Sequence, residues 1–328
     1  MKRATIVDVA ESAGVSISTV SRFLSNPLSI SPIRAVAIDN AIKKLNYIPN
    51  PFAQNIRKES TKIIAVIMPD ISDQFFSDAC KALCDIFYQN EYFVMICDTD
   101  NDPEKERYYI SEMIKSRVAG IMLITCGQNK DFIQGIIDEG HLLMLIDRLE
   151  PGVEINAVCE DNTSSGYELA KYLLQVGHRR FAILSGSEKS INMYFRISGI
   201  EKALWEFGIE DEEKYLIKNL RTKEDAVSAF ASLTEDKNCP RCIIACNNVL
   251  LDGVVLEANK QQLSVPEQYA IAGFCVEDPR FMFPFPVPAI LQIPKLMGMK
   301  AGDLMLNQLK RKRKKSKQLL LKTKLILP

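Results

Sequence analysis

The sequence predicts an α/β protein: an all-α helix-turn-helix head followed by a two-lobed, doubly wound α/β body. Three observations carry this. The first sixty residues hold apolar stripes at helical spacing. From Lys62 onward, short β-branched runs alternate with helix-length amphipathic stretches, and that rhythm restarts once. The chain has 328 residues, too many for one small core, with the 47% apolar and 25% charged content of a soluble globular protein.

In the head, Ile6, Val9, Ala10 and Ala13 follow Thr5 at the i, i+3, i+4, i+7 spacing of a short helix. Gly14 supplies a turn, because glycine accepts positive φ. Ser16 is a good N-cap for a second helix, with Val15 before it as the apolar staple. There Val20 and Leu24 face the first helix, while Ile17, Ser18, Ser21 and Arg22 fall opposite. That outer face has no acid, which a phosphate-lined groove would repel. Hydroxyls bond phosphates or base edges, and arginine pairs bidentately with guanine. An ordinary surface helix shares this pattern, so the pattern alone leaves both readings open.

Ser31 stands as the cap of a third helix with Ile38, Ile42 and Leu45 on its inner stripe, ending at Asn46. Asn50 then caps a short helix, Pro51–Lys58, with proline at its first position. Under three turns, it needs outside support and reads as a hinge that orders on binding.

Charge is unevenly spread. Residues 1–60 carry +4 and residues 310–328 carry +9, so the acidic middle holds about −13 and the total is zero. A basic head on an acidic body suits an anionic partner. The nine cysteines have no framework spacing, and no apolar leader follows Met1-Lys2-Arg3. No run of about 18 apolar residues exists, so no membrane partner is expected. Reduced thiols and a cytoplasmic location follow as expectations.

In the body, "KIIAVIMPD", "YFVMICD", "GIMLIT" and "LLMLID" read as strands, with helices near 74–89, 103–116 and 130–139 between them. After "INAVCED" come helices near 163–176, 194–207, 223–233 and 249–261, with strands "RFAILSG", "KYLIKN", "CIIAC" and "YAIAGF". Strands separated by single helices form parallel sheets. Two series make two lobes, and ligands bind beyond the carboxyl ends of such strands.

The stretches "TIVDVAESAGVSISTVSRFLSNPLSIS" and "AIKKLNYIPNPFAQNIRK" resemble the DNA-binding head and hinge of LacI/GalR-family repressors. "MPDISDQFF", "LIDR", "EDNTSSGYELAKYLLQVGHRRFAIL", "RISGIEKAL", "CNNVLLDG" and "VPEQYAIAGF" continue the likeness in family order. The resemblance implies a type I periplasmic-binding-protein body and a bacterial, nucleoid-associated homodimer. Its partners would be double-stranded DNA with an inverted-repeat operator and a small sugar or sugar-acid effector; no cofactor is implied. It puts Ile17, Ser18 and Arg22 at base edges and Thr5, Ser16, Thr19, Ser21 and Ser31 on the DNA backbone. Asn50, Ala53 and Ile56 belong to the hinge, where Ile56 takes the lever position that leucine usually fills. The domains would be 1–49, hinge and linker 50–61, and effector and dimerisation domain 62–328. In the last, the N-lobe covers about 62–160 plus 292–318 and the C-lobe about 161–291 plus 319–328.

By the same likeness the effector would meet Phe75, Asp147, Arg196, Asn247 and the strand-end position of Cys275. The family usually places two acids after "IAGF"; here stand Cys275 and Val276. Losing that negative charge beside Arg196 would favour an anionic ligand such as a gluconate or keto-gluconate, since two like charges close together are costly. Control by a partner protein, or sugar binding without a DNA function, are the competing readings. "CPRC" at Cys239–Cys242 has no second ligand pair for zinc, and no catalytic set is visible, so neither metal nor enzyme chemistry is expected. The run "KRKRKKSK" reads as a solvated loop.

Overall fold

The computed structural model describes residues 4–47, 61–210, 213–310 and 316–328. Contacts divide the chain into two units, Met1–Thr61 and Lys62–Pro328. The expected hinge helix, with Asn50, Ala53 and Ile56, lies outside the described residues.

The head contains α1 (Ile6–Ala13), α2 (Ile17–Ser25) and α3 (Pro32–Lys44). Thr5 and Asp8 close a capping box on α1, and Gly14 ends that helix at φ 61°. Ser16 caps α2 by accepting from the Thr19 amide. Val9, Ala10, Val20, Ile38 and Ala41 form the core, with Leu24, Ile42 and Leu45 packed on it. Ser31 differs from expectation: it occupies the cap position of α3, but its side chain accepts no cap hydrogen bond. Pro32 at the first helical position presets the φ of that turn without it.

The first sheet of the body comprises β1 (Ile63–Met68), β2 (Phe93–Asp98), β3 (Gly120–Leu123), β4 (Leu143–Ile146), β5 (Ala157–Glu160) and β11 (Gln318–Leu321). Their order is β11-β5-β4-β3-β1-β2, all parallel. Helices α4 (Gln74–Gln89) and α12 (Pro294–Lys310) cover one face; α5 (Pro103–Lys115) and α6 (Lys130–Asp138) cover the other. The second sheet comprises β6 (Phe181–Leu184), β7 (Lys214–Ile217), β8 (Cys242–Ala245), β9 (Ala270–Cys275), β10 (Ala289–Leu291) and β12 (Lys324–Ile326). Its order is β12-β10-β9-β8-β6-β7. It is flanked by α7 (Asn162–Gln175) and α8 (Ile191–Glu206) on one face, and by α9 (Lys223–Glu235) and α10 (Asn248–Lys260) on the other. A short α11 (Pro279–Met282) follows β9. Among the described residues, no helix is long and apolar enough to cross a membrane.

Two details depart from the sequence reading. β11 keeps Leu319–Leu321 in the first sheet, so the last crossing between lobes falls at 322–323, beyond the expected 318. β12 is antiparallel, with its first residue Lys324 opposite Leu291, the last of β10. The chain leaves one sheet at a carboxyl end and enters the next at the carboxyl end of its neighbour, so it must run backwards.

Helices α7 and α8 touch almost backbone to backbone. A Cβ on Gly199 would lie 2.0 Å from the Thr163 carbonyl oxygen, and one on Gly166 2.2 Å from that of Arg196. Gly199→Ala should therefore force the helices apart and destabilise the body by about 1–3 kcal/mol. Gly135→Ala, on α6 with open space around it, should be neutral or stabilising. Urea unfolding of both variants checks this.

Candidate DNA-binding face and ligand cleft

The outer face of α2 is built by its cap and its apolar stripe. Val20 is buried, which turns Ile17, Ser18 and Arg22 outward. Ser16 Oγ lies 2.8 Å from both Ser18 Oγ and Thr19 Oγ1, so three hydroxyls cluster at the positive end of the helix. Ile17 is 47% exposed. Ser21 is half-buried, and Thr5 is occupied by its capping box with Asp8. Among the described residues Arg22 has no carboxylate partner. Ser31, exposed at the start of α3, completes the predicted set that is described.

In the body, the carboxyl ends of the strands bring together part of the predicted cleft. Asp147 follows β4 at φ 62° and is 3% exposed. Its Oδ2 accepts from Asn192 Nδ2 of α8 at 2.9 Å, across the lobes. Among the described residues its Oδ1 has no hydrogen-bond partner. Arg148 Nε lies 3.9 Å from Asp147, and Arg148 Nη1 donates to Asn101 Oδ1 and to the Thr125 carbonyl.

Arg196 on α8 is 2% exposed. Its Nε donates to Asn162 Oδ1 at 2.7 Å and its Nη1 to the Cys246 carbonyl at 2.7 Å, while the guanidinium sits 4.1 Å from the Phe274 ring centroid. Its Nη2 lies 3.7 Å from Glu160 Oε2. Glu160 in turn accepts from the Ile293 amide at 2.8 Å and from Gln292 Nε2 at 3.1 Å. Burial pulls the Arg196 guanidinium down from its ordinary value, and Glu160 pushes it back up.

With Cys275 and Val276 where the family usually places acids, Arg196 still has an acidic neighbour, because β5 delivers Glu160 to it. The displaced acids are occupied elsewhere: Glu277 accepts from Gln74 Nε2 of the other lobe at 2.7 Å, and Asp278 caps α11 and pairs with Arg280. Glu160 thus offsets at Arg196 the loss of negative charge that would favour an anionic ligand.

Asn247 caps α10 through its Oδ1 and stands half-buried just beyond β8. Phe75 is packed in the N-lobe core against Phe76, edge to face at 5.4 Å. Cys275 lies in the C-lobe core with its thiol directed at the Ile290 carbonyl, and is not brought to the Asp147–Arg196 group. Glu160, Asn162 and Asn192 were not singled out from sequence. A polar run "EDN" directly after the apolar strand "AVC" was the available signal for the first two; nothing local marked Asn192.

Burial pushes the Asp147 carboxyl up to about 7 from an ordinary 3.8. Arg148 opposes the rise, Glu160 adds to it, and Arg196 and the Asn192 amide oppose it. Between these values the folded chain holds a proton that the unfolded chain has released. The contribution of this carboxyl is thus fully present below about pH 4 and lost as pH rises through about 7. Denaturant midpoints at several pH values should show the wild type losing ground to Asp147→Asn as pH rises through this window. A pH-independent gap between the two proteins would contradict this.

Residues 5–50 match bacterial regulatory proteins of the lacI family, and residues 61–327 match the periplasmic binding proteins and sugar binding domain of the LacI family. The HTH-type transcriptional regulator DegA of Bacillus subtilis (strain 168) is 32% identical over 275 residues, 83% of this chain and 81% of its own length. The HTH-type transcriptional repressor CytR of Escherichia coli (strain K12) is 29% identical over 309 residues, 93% of this chain and 90% of its own. The lac repressor dimer bound to operator and the anti-inducer ONPF shares the fold, with a TM-score of 0.82 at 21% identity over 99% of this chain and 98% of that one. The chain belongs to the LacI family of bacterial regulatory proteins.

Proposed function

We propose that this chain is a transcriptional repressor that grips an inverted-repeat operator as a homodimer and whose grip is set by a small sugar bound between the lobes of its body. The observation that carries the first half is the outer face of α2: acid-free, hydroxyl-rich, with Ile17 and Arg22 exposed on a helix that is otherwise well packed. In this reading α2 enters the major groove, with Ile17, Ser18 and Arg22 at base edges. Ser16, Thr19 and the other hydroxyls fix register on phosphates.

The second half rests on the cleft. Asp147 and Asn247 stand just beyond strand ends, where doubly wound sheets take ligands, and Arg196 of α8 reaches the end of β8 at the Cys246 carbonyl. Hydrogen bonds already span the lobes there: Asn192 to Asp147, Gln74 to Glu277, and Asn248 Nδ2 to Asp73 Oδ1 at 3.1 Å. A ligand that binds one lobe arrangement better shifts the population towards it, and operator affinity follows by linkage. The function is one of binding; the relatives are regulators, and no reaction is assigned to the cleft.

Selection of duplexes from a randomised pool by the full-length protein tests this, and should return an inverted repeat. On the selected duplex, Arg22→Ala should lose about 1–3 kcal/mol of discrimination against other sequences. Ser16→Ala should weaken all duplexes alike. Retention of no preferred sequence by the wild type would refute the repressor reading.

A further inference from the structure

Two oppositely charged pairs stand buried or nearly buried beside the strand ends. Asp147 lies beside Arg148, and Glu160 beside Arg196. A guanidinium is where a sugar acid would dock, because its fork matches a carboxylate. Here two of its nitrogens already donate, Nε to Asn162 and Nη1 to the Cys246 carbonyl, and Nη2 lies 3.7 Å from Glu160. Glu160 stands at the end of β5, where the first crossing between lobes begins, and is held against the second crossing by the Ile293 amide and the Gln292 side chain. Burial raises the pKa of this carboxyl, and Arg196, the Ile293 amide and the Gln292 side chain oppose the rise by favouring the ionised form.

We infer that Glu160 is a specificity-determining residue: by keeping Arg196 neutralised, it makes this cleft take an uncharged, hydroxyl-rich sugar and reject the corresponding acid. The inference rests on reading the cleft as a sugar site. Above about pH 7, where Asp147 is ionised, an arriving carboxylate meets two acids and no surplus cation, so its lost hydration is not repaid. A neutral sugar fares better. Its hydroxyl protons suit Asp147 Oδ1, which has no donor among the described residues, and its hydroxyl oxygens suit the remaining N–H groups of Arg196. Glu160 needs no contact with the sugar to do this; it acts through Arg196.

The test is calorimetric titration of the full-length protein with D-glucose, D-galactose and D-ribose and with the matching aldonates. It is made on the wild type, Glu160→Gln and Glu160→Asp, each checked for folding by circular dichroism. The wild type should take a neutral sugar more tightly than its acid. Glu160→Gln should raise the acid-to-neutral affinity ratio at least about tenfold, including aldonate binding where the wild type has none. Glu160→Asp should keep the wild-type preference. A purely structural role would weaken both series equally and leave the ratio unchanged, which overturns the inference. So does a wild type that prefers an aldonate, or a Glu160→Gln that binds none. If Glu160→Gln fails to fold, the wild-type preference and its retention in Glu160→Asp decide the matter. Failure of every ligand with all three proteins would reject the sugar-site reading itself, whereas an unchanged ratio with sugar bound rejects only the role of Glu160.

Discussion

The body depends on one buried interaction, the grip of Arg196 on the polypeptide around it. The guanidinium reaches from α8 to the start of α7 at Asn162, to the end of β8 at the Cys246 carbonyl, and to Glu160 at the end of β5. It does so while stacked on Phe274. Three elements of the second lobe and one of the first are thereby fixed by a single side chain. A charge so deeply buried is costly unless nearly every donor is answered, and removing one partner leaves the other uncompensated. The close approach of α7 and α8 at Gly166 and Gly199 is what brings Asn162 within reach. Packing with no room for a methyl group thus sets the electrostatics of the cleft.

The crossings between lobes carry the same logic. Glu160 binds the first crossing to the second through Ile293 and Gln292, and Ser165 Oγ lies 2.7 Å from Thr323 Oγ1, joining the first to the third. The connections are therefore bonded laterally, close to the cleft. The Asp147 carboxylate is anchored in one lobe and accepts from Asn192 of the other. In the head, a separate small core of Val9, Ala10, Val20, Ile38 and Ala41 has the simpler task of holding α2 with its polar face outward.

Much of this was legible in sequence because it is local. The stripe Ile6-Val9-Ala10-Ala13 with Gly14 behind it marks α1 to the residue, and the apolar runs at β1 and β8 are buried strands as their composition demands. Less legible were features made by distant partners. Glu160 and Arg196 are brought together only by the crossing between lobes, so the charge of the cleft was misjudged from the vicinity of Cys275 alone. Cys275 ends a strand, yet its side chain turns into the C-lobe core, a choice between two faces that one strand-end position does not reveal. The reversal of β12 likewise depends on which end of the second sheet the chain enters. Family likeness supplied Asp147, Arg196 and Asn247 as positions; their partners required three dimensions.

The central claim is that occupancy of the cleft and grip on DNA are one coupled equilibrium. It is tested most directly by operator affinity of the full-length protein, read by fluorescence anisotropy at zero and saturating neutral sugar, together with sugar affinity measured with and without operator. The account predicts that the sugar changes operator affinity by some factor and that operator changes sugar affinity by the same factor. A sugar that binds the cleft tightly while leaving operator affinity unchanged would contradict it.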